Sequence, residues 1–282
     1  MSRETPRIVV GYDGSDFSMQ ALDWAMDEAE WRKLPLTVCH AWQWPYGPAE
    51  EEARAHLGKA AEHVLWHGAD CARSCSAVAD VRADLYEGRA EDRLVELSAG
   101  AELVVVGSRG LDAVARETVG SVAGRVAAGA ACPVIVVRGP GPVPLPPAPG
   151  PVVAGMTDDT PDEVLAFALG EAEVRALDLL TVHAGELRPA PSRPFAAEAG
   201  GALRSAERDF TTHLLPWRER YPSVHMQSRF VAGPPGEALL AASREASLLV
   251  LGRGAEPGRL GAVTGHVLQH AMCPVAVVPC AA

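Results

Sequence analysis

The chain predicts two tandem, doubly wound α/β domains. Short runs of Val, Ile and Leu alternate with helical patterns, those runs recur in the same order 141–145 residues later, and a proline-rich segment separates the copies. Near-continuous apolar runs suit parallel strands buried on both faces. Strand–helix alternation with right-handed crossovers winds such strands into an open sheet covered by helices.

The first strand is expected near residues 7–12, in Arg7-Ile-Val-Val-Gly11-Tyr12, with Asp13 immediately after it. The next four fall near 36–42, 80–86, 102–107 and 133–137, with helices near 16–32, 50–76, 89–99 and 120–130. In the second copy strands are expected near 151–156, 178–184, 224–231, 247–252 and 274–278. Leu36-Thr-Val-Cys-His40-Ala41 pairs with Leu179-Leu-Thr-Val-His183-Ala184, and Leu103-Val-Val-Val-Gly107 with Leu248-Leu-Val-Leu-Gly252. Cys132-Pro-Val-Ile-Val-Val137 pairs with Cys273-Pro-Val-Ala-Val-Val278. Thr160-Pro-Asp-Glu163 has capping-box spacing with proline at the first helical position, so it should open the first helix of the second copy. Seven prolines in the segment from Arg138 through Pro151 cannot enter a sheet or a helix interior and favour a semi-rigid linker. The expected division is 1–138, a linker at 139–150, and 151–282.

With 282 residues, either half is long enough to bury its own core. The net charge of -11, with arginines scattered among acids, argues against a protein that grips nucleic acid or an anionic membrane. Any bound polyanion must be held by a local cradle against an unfavourable overall field. No apolar run approaches membrane-spanning length and no leader pattern opens the chain, so a cytoplasmic location is expected. The six cysteines read as free thiols. Cys71 and Cys75, four apart, could share a helix face, where a metal or redox pair is the alternative reading, although no second ligand pair has zinc-site spacing.

Gly107-Ser108-Arg109-Gly110, nine further residues, and Gly120-Ser121-Val122 form a strand that runs into glycines and then into a helix. Such a segment reads as a phosphate cradle. Glycines admit close backbone approach, and a first helical turn offers unpaired N–H groups. A tight strand-to-helix turn is the alternative reading of the same glycines. In doubly wound sheets ligands bind beyond the strand carboxyl ends, where the winding reverses. Asp13 and Gly107 would face one crevice there.

Val9-Val10-Gly11-Tyr12-Asp13-Gly14-Ser15, the strand ending His40-Ala41, Gly107-x2-Gly110-x9-Gly120-Ser121 and the Cys132-Pro-Val strand together resemble the universal stress protein family, in its tandem two-domain form. The resemblance spans nearly all the chain outside the linker. It implies a five-stranded parallel sheet of order 3-2-1-4-5 in each half and, in one subclass, ATP binding. Gly11, Asp13 and Ala41 would then border the adenosine portion. Gly107, Ser108, Arg109, Gly110, Gly120, Ser121 and Val122 would surround ribose and phosphates. A magnesium ion could accompany the ATP, with Asp13 read as a ribose or adenine contact in preference to a metal ligand.

The second copy departs from this pattern. Thr157 stands where Asp13 does, with Asp158 next to it as an imperfect substitute. Ala255 replaces Gly110, and Ala262 replaces Ser121 when counted back from Cys273. The nine-residue spacer shrinks to Glu256-Pro-Gly-Arg-Leu260, which removes up to roughly 13 Å of chain reach. Aligning Gly265 instead of Gly261 with Gly120 would put His266 at the serine position and break the spacing to Cys273. The second site is therefore expected to be empty of ATP.

A phosphotransfer enzyme needs metal ligands, a phosphate-side cation and a positioned base. The chain has no Gly-x4-Gly-Lys-Ser/Thr loop, its two lysines (Lys33 and Lys59) are remote from the glycines, and it has no Gly-x-Ser-x-Gly elbow. A nucleotide-dependent regulator or sensor in a stress response, working through a protein partner, is the leading expectation. Slow ATP hydrolysis stays open. So does a scaffold of the same fold with no ligand, whose halves pack through their last strands, and so does association into a homodimer.

Overall fold

The computed structural model of the chain describes residues 5–44, 51–110, 120–138, 150–157, 160–185, 210–256 and 258–280. The linker residues 139–149, the spacer 111–119, Asp158 and Pro257 lie outside the described residues.

The first half runs β1 (Arg7–Gly11), α1 (Asp16–Arg32), β2 (Leu36–Trp42), α2 (Glu51–Cys75), β3 (Val81–Glu87), α3 (Ala90–Ser98), β4 (Ala101–Gly107), α4 (Ser121–Gly129) and β5 (Val134–Val137). The second runs β6 (Val152–Met156), α5 (Asp162–Val174), β7 (Leu179–Gly185), α6 (Leu215–Arg220), β8 (Met226–Ala232), α7 (Pro235–Ala242), β9 (Leu248–Gly252), α8 (Ala262–His270) and β10 (Val275–Val278). The expected strands all form, shifted by two residues at most at an end.

The strands make one ten-stranded sheet in the order β3-β2-β1-β4-β5-β10-β9-β6-β7-β8. Each half has the order 3-2-1-4-5 expected of it. Pairing is parallel within each half. At the junction β5 and β10 pair antiparallel, with Val136 opposite Val275 and Val134 opposite Val277. The halves thus join through their last strands. Because that joint is antiparallel, the strand carboxyl ends of the two halves lie at opposite edges of the sheet.

Two apolar layers cover the sheet, and each runs through both halves. On one face Ile8, Val10, Leu36 and Leu103 pack with Leu22 of α1 and Leu65 of α2, continuing to Val152, Leu165 and Leu248. On the other, Val9, Val104 and Val136 pack with Leu94 of α3 and Val126 of α4, continuing to Leu239, Leu249 and Val267. The β-branched runs recognised in the sequence are these two-sided strands.

The first helices of the two halves start differently. Ser15 is extended at the N-cap of α1 and its Oγ accepts the Ser18 N–H at 3.2 Å. The capping box expected at Thr160–Glu163 does not form. Thr160 Oγ1 instead accepts the Thr157 N–H at 2.7 Å and lies 3.0 Å from Thr157 Oγ1. With that hydroxyl engaged outside the helix, Pro161 becomes the N-cap and α5 starts at Asp162.

At the seam α1 and α5 share a buried charge network. Glu28 Oε2 accepts from Arg32 Nε at 3.0 Å within α1, and Glu171 Oε2 accepts from Arg175 Nε at 3.1 Å within α5. Across the seam, Arg32 pairs with Glu171 and Arg175 with Glu28. Both carboxylates are 0% exposed. The Trp24 and Trp31 rings flank the Arg175 guanidinium at 4.2 and 4.8 Å. A second reciprocal contact ties helix ends to the opposite half. Arg138 donates to the carbonyls of Ala271 and Gln269 at the end of α8, at 3.0 and 2.7 Å. Arg253 donates to the Ala130 carbonyl at the end of α4, at 2.8 Å. Cationic donors suit the negative end of a helix dipole.

Candidate functional site

At the carboxyl ends of β1, β2 and β4 lies a cleft of about 410 Å³. Volumes of roughly 300–1,000 Å³ are those of small-molecule and cofactor pockets. Gly11, Asp13, Ala41, Gly107, Arg109, Gly110, Gly120, Ser121 and Val122 all line it, although they come from separate parts of the chain. The fold brings them together because β1 and β4 are neighbours, so the loops after both strands open onto one crevice.

Ser108, expected at the site, is not part of the wall. It is 2% exposed, its N–H donates to the Val137 carbonyl at 2.9 Å, and its own carbonyl accepts the Gly120 N–H at 2.8 Å. That second bond brings Gly120 back beside the end of β4.

Asp13 is held in place. Its Oδ1 accepts the Ser15 N–H at 2.9 Å and the Ser15 hydroxyl at 2.5 Å, while Oδ2 faces Gly110. Ser121 is the first residue of α4, after an extended Gly120 that makes no side-chain cap. The first residues of α4, Ser121 and Val122, thus line the cleft, and a helix N-terminus is an arrangement that receives an anion. Arg109 places its guanidinium 5.0 Å from the Phe17 ring centroid, beside the same opening.

The glycines have a second reason to be glycine. A Cβ on Gly107 would lie 2.6 Å from the Phe17 carbonyl oxygen, and one on Gly110 would lie 2.5 Å from Asp13 Oδ2. Close approach of the backbone to itself therefore requires glycine at 107, independently of any ligand, whereas at 110 a Cβ would have to displace the Asp13 carboxylate. At Gly120 an added Cβ would meet its nearest atom at 3.5 Å, an ordinary contact.

Several wall residues had no motif to announce them. Cys39, Ala90, Leu94 and Val106 form an apolar side, and His40 lies at the end of β2 with Nδ1 2.8 Å from the Tyr12 carbonyl. His183, its counterpart, packs between Phe210 and Phe230 at centroid distances of 3.9 and 4.6 Å. Arg93 donates to both Asp84 oxygens, at 2.9 and 2.6 Å, and holds that carboxyl below its ordinary range. Burial, then Asp84, pushes the neighbouring Cys39 thiol up, so it stays protonated at the cleft wall. Cys71 and Cys75 stand 3.9 Å apart on α2. Among the described residues no group of three or more His, Cys, Asp or Glu side chains is placed to hold a metal ion, and no helix is long and apolar enough to cross a membrane.

The second half repeats the backbone of this site without its chemistry. Gly261 donates to the Arg253 carbonyl at 2.8 Å, as Gly120 does to Ser108, and Ala262 opens α8 as Ser121 opens α4. The alignment of Gly261, not Gly265, with Gly120 is thereby borne out. Asp13, Gly110 and Ser121 are matched by Thr157, Ala255 and Ala262.

Fold and cleft together define a tandem, doubly wound α/β protein with a small-molecule-sized crevice at its first switch point. The sequence profile of the Universal stress protein family matches residues 4–138 and, a second time, residues 150–279. The chain belongs to that family. It is 35% identical over 300 residues to the Universal stress protein Rv2005c of Mycobacterium tuberculosis, covering 98% of this chain and 97% of that one. A universal stress protein of Mycolicibacterium smegmatis is 33% identical over 293 residues, covering 96% of each. Among solved structures, a universal stress protein from Archaeoglobus fulgidus superposes with a TM-score of 0.73 at 17% identity, covering 98% of this chain and 99% of that one. That likeness is one of fold.

Proposed function

We propose that the chain is an adenine-nucleotide-binding regulator of a stress response, with ATP held by the first half alone. The observation that carries this reading is the convergence of the Asp13 carboxylate, Arg109 and the open N-terminus of α4 at Ser121 on one cleft. Asp13, fixed by Ser15, is suited to accept from a ribose or adenine donor. Ser121 and the α4 N–H groups are suited to donate to phosphate oxygens, and Arg109 adds a cation on the same side. Ala41 and Gly11 line the part away from α4. A magnesium ion would balance phosphate charge if it accompanied the nucleotide. The residues present fit such a ligand, and the first domain, 1–138, is the one we assign to it.

In this reading the second domain, 151–282, contributes architecture through the β5–β10 seam, and nucleotide occupancy alters how the first half meets a protein partner. A cytoplasmic location fits this role. Any homodimer must use surfaces other than the edges of β5 and β10, which pair with each other. The test is mass spectrometry of small molecules released from freshly purified protein. A single adenine nucleotide per chain is expected, and two per chain would refute the asymmetry. Incubation of the bound ATP then reads hydrolysis as ADP formed.

A scaffold without ligand is the second reading, favoured by the continuous sheet and the buried charge network at the seam. Calorimetry that detects no nucleotide binding, with Ser121→Ala indistinguishable from wild type, would select it.

A further inference from the structure

The second half has a cleft of its own, and it is the larger of the two. It measures about 660 Å³ against about 410 Å³ and lies at the carboxyl ends of β6, β7 and β9. The helix beside it also starts differently: Ser15 caps a helix that begins at Asp16, whereas Pro161 precedes one that begins at Asp162. In the first half, the first turn of α1 closes on β4 so tightly that Gly107 could carry no Cβ beside the Phe17 carbonyl. At the matching Gly252 no backbone atom of the described residues approaches so closely. A Cβ there would meet Cys280 Sγ at 3.2 Å and Val164 Cγ2 at 3.4 Å.

The chemistry of the wall has changed along with the shape. Asp13, His40 and Arg109 line the first cleft, whereas no Asp, Glu, Lys, Arg or His is among the described residues lining the second. Its surface is built from Met156, Val182, Leu239, Leu251, Val263 and Cys280. The hydroxyls present are already engaged. Thr264 Oγ1 donates to the Gly252 carbonyl at 2.8 Å, and the Thr157 and Thr160 hydroxyls lie within bonding distance of each other. Among the described lining residues there is no cation or free hydroxyl to replace the hydration that a phosphate-bearing ligand would give up here. An uncharged ring system would gain apolar burial against soft, polarisable Met and Cys walls.

We propose that the second-half cleft is a binding site for an uncharged, largely apolar small molecule of ring-system size. The concave shape at the strand ends and the volume suit such an occupant. The duplicated domain has kept the crevice that the fold provides and exchanged its ligand class. This site is independent of the nucleotide reading of the first half.

The test uses the full chain carrying Cys71→Ser and Cys75→Ser. Cys39, Cys132 and Cys273 are buried, which leaves Cys280 at the cleft wall as the accessible thiol. The probe is the neutral naphthalene ketone prodan, titrated by fluorescence, with Cys280 modification by a disulfide reagent followed in parallel. Saturable, blue-shifted emission is expected, and bound probe should slow Cys280 modification by about tenfold or more, whereas ATP should neither displace the probe nor protect the thiol. Val263→Arg, at a rim position already 37% exposed, should weaken probe binding by about tenfold or more with unchanged thermal unfolding. The proposal is overturned if ATP competes with the probe, if Val263→Arg binds it as well as wild type, or if Cys280 is inert without probe. An inert Cys280 would mean that the cleft wall is closed to a ligand of this size. ATP stoichiometry at the first half is read separately, so the two readings can fail one at a time.

Discussion

Gly110 rests against the Asp13 carboxylate: a Cβ at position 110 would stand 2.5 Å from Asp13 Oδ2. Asp13 cannot easily retreat, because Ser15 holds its other oxygen through a backbone and a hydroxyl bond. This contact joins two of the differences between the halves. Where Thr157 replaces Asp13, Ala255 replaces Gly110, and the side chain is gained only where the carboxylate has gone.

Gly110→Ala should therefore destabilise the protein by about 1–3 kcal/mol, the usual range for overpacking, and weaken ATP binding. Adding Asp13→Thr should recover part of the stability and none of the binding, with a coupling of about 0.5–3 kcal/mol in a double-mutant cycle. Thermal unfolding and calorimetry read the two effects. Strict additivity in stability would show that the contact does not exist in solution.

Ser121→Ala separates ligand recognition from folding. Ser121 is exposed at the first position of α4 and caps nothing. Losing a hydroxyl bonded to a charged oxygen costs about 1.5–3 kcal/mol, so ATP affinity should fall by about 10–150-fold while the unfolding temperature stays put. The matching change in the second half, Ala262→Ser, should not by itself create a nucleotide site, since Thr157 and Ala255 remain.

The seam network predicts a large effect far from either cleft. Arg175→Met leaves Glu28 and Glu171, both fully buried, each short of one partner. Breaking a buried pair on one side typically costs about 3–5 kcal/mol. Urea unfolding should show a loss of that order, and the two halves should cease to unfold as one unit. A change below about 1 kcal/mol, as for an exposed pair, would mean that water reaches the network.

Acid should act through Asp84. The hydrogen bonds from Arg93 hold its folded-state pKa below the ordinary value, so the unfolded chain binds more protons as the pH falls. The stabilisation is complete above the unfolded pKa of about 3.9 and is lost as the pH falls through the lower folded value. The stability difference between wild type and Asp84→Asn should be constant from neutrality down to about pH 5 and shrink below it. Denaturant melts at a series of pH values measure this. A difference that grows on acidification would contradict the assigned direction.

The order of strands and helices, the duplication and most of the first cleft can be read without coordinates, because each depends on local pattern. Two-sided apolar runs specify buried parallel strands, and the motif spacing already separates Asp13, Gly110 and Ser121 from their altered counterparts. The place of Ser108 in the motif is equally plain, but its burial and the bond from its carbonyl to the Gly120 N–H are visible only in three dimensions.

The seam is invisible at that level. Glu28-x3-Arg32 and Glu171-x3-Arg175 look like ordinary surface pairs one helical turn apart. They become a single buried network only because the antiparallel β5–β10 joint brings α1 against α5, linking residues 139 and 147 positions apart. The second cleft is equally a matter of three dimensions. Its altered residues can be counted in the sequence, but its volume is set by how the ends of β6, β7 and β9 pack with the helices beside them. Pattern along the chain names what each segment can become. Contacts between distant segments set which charges are buried and how much room a ligand has.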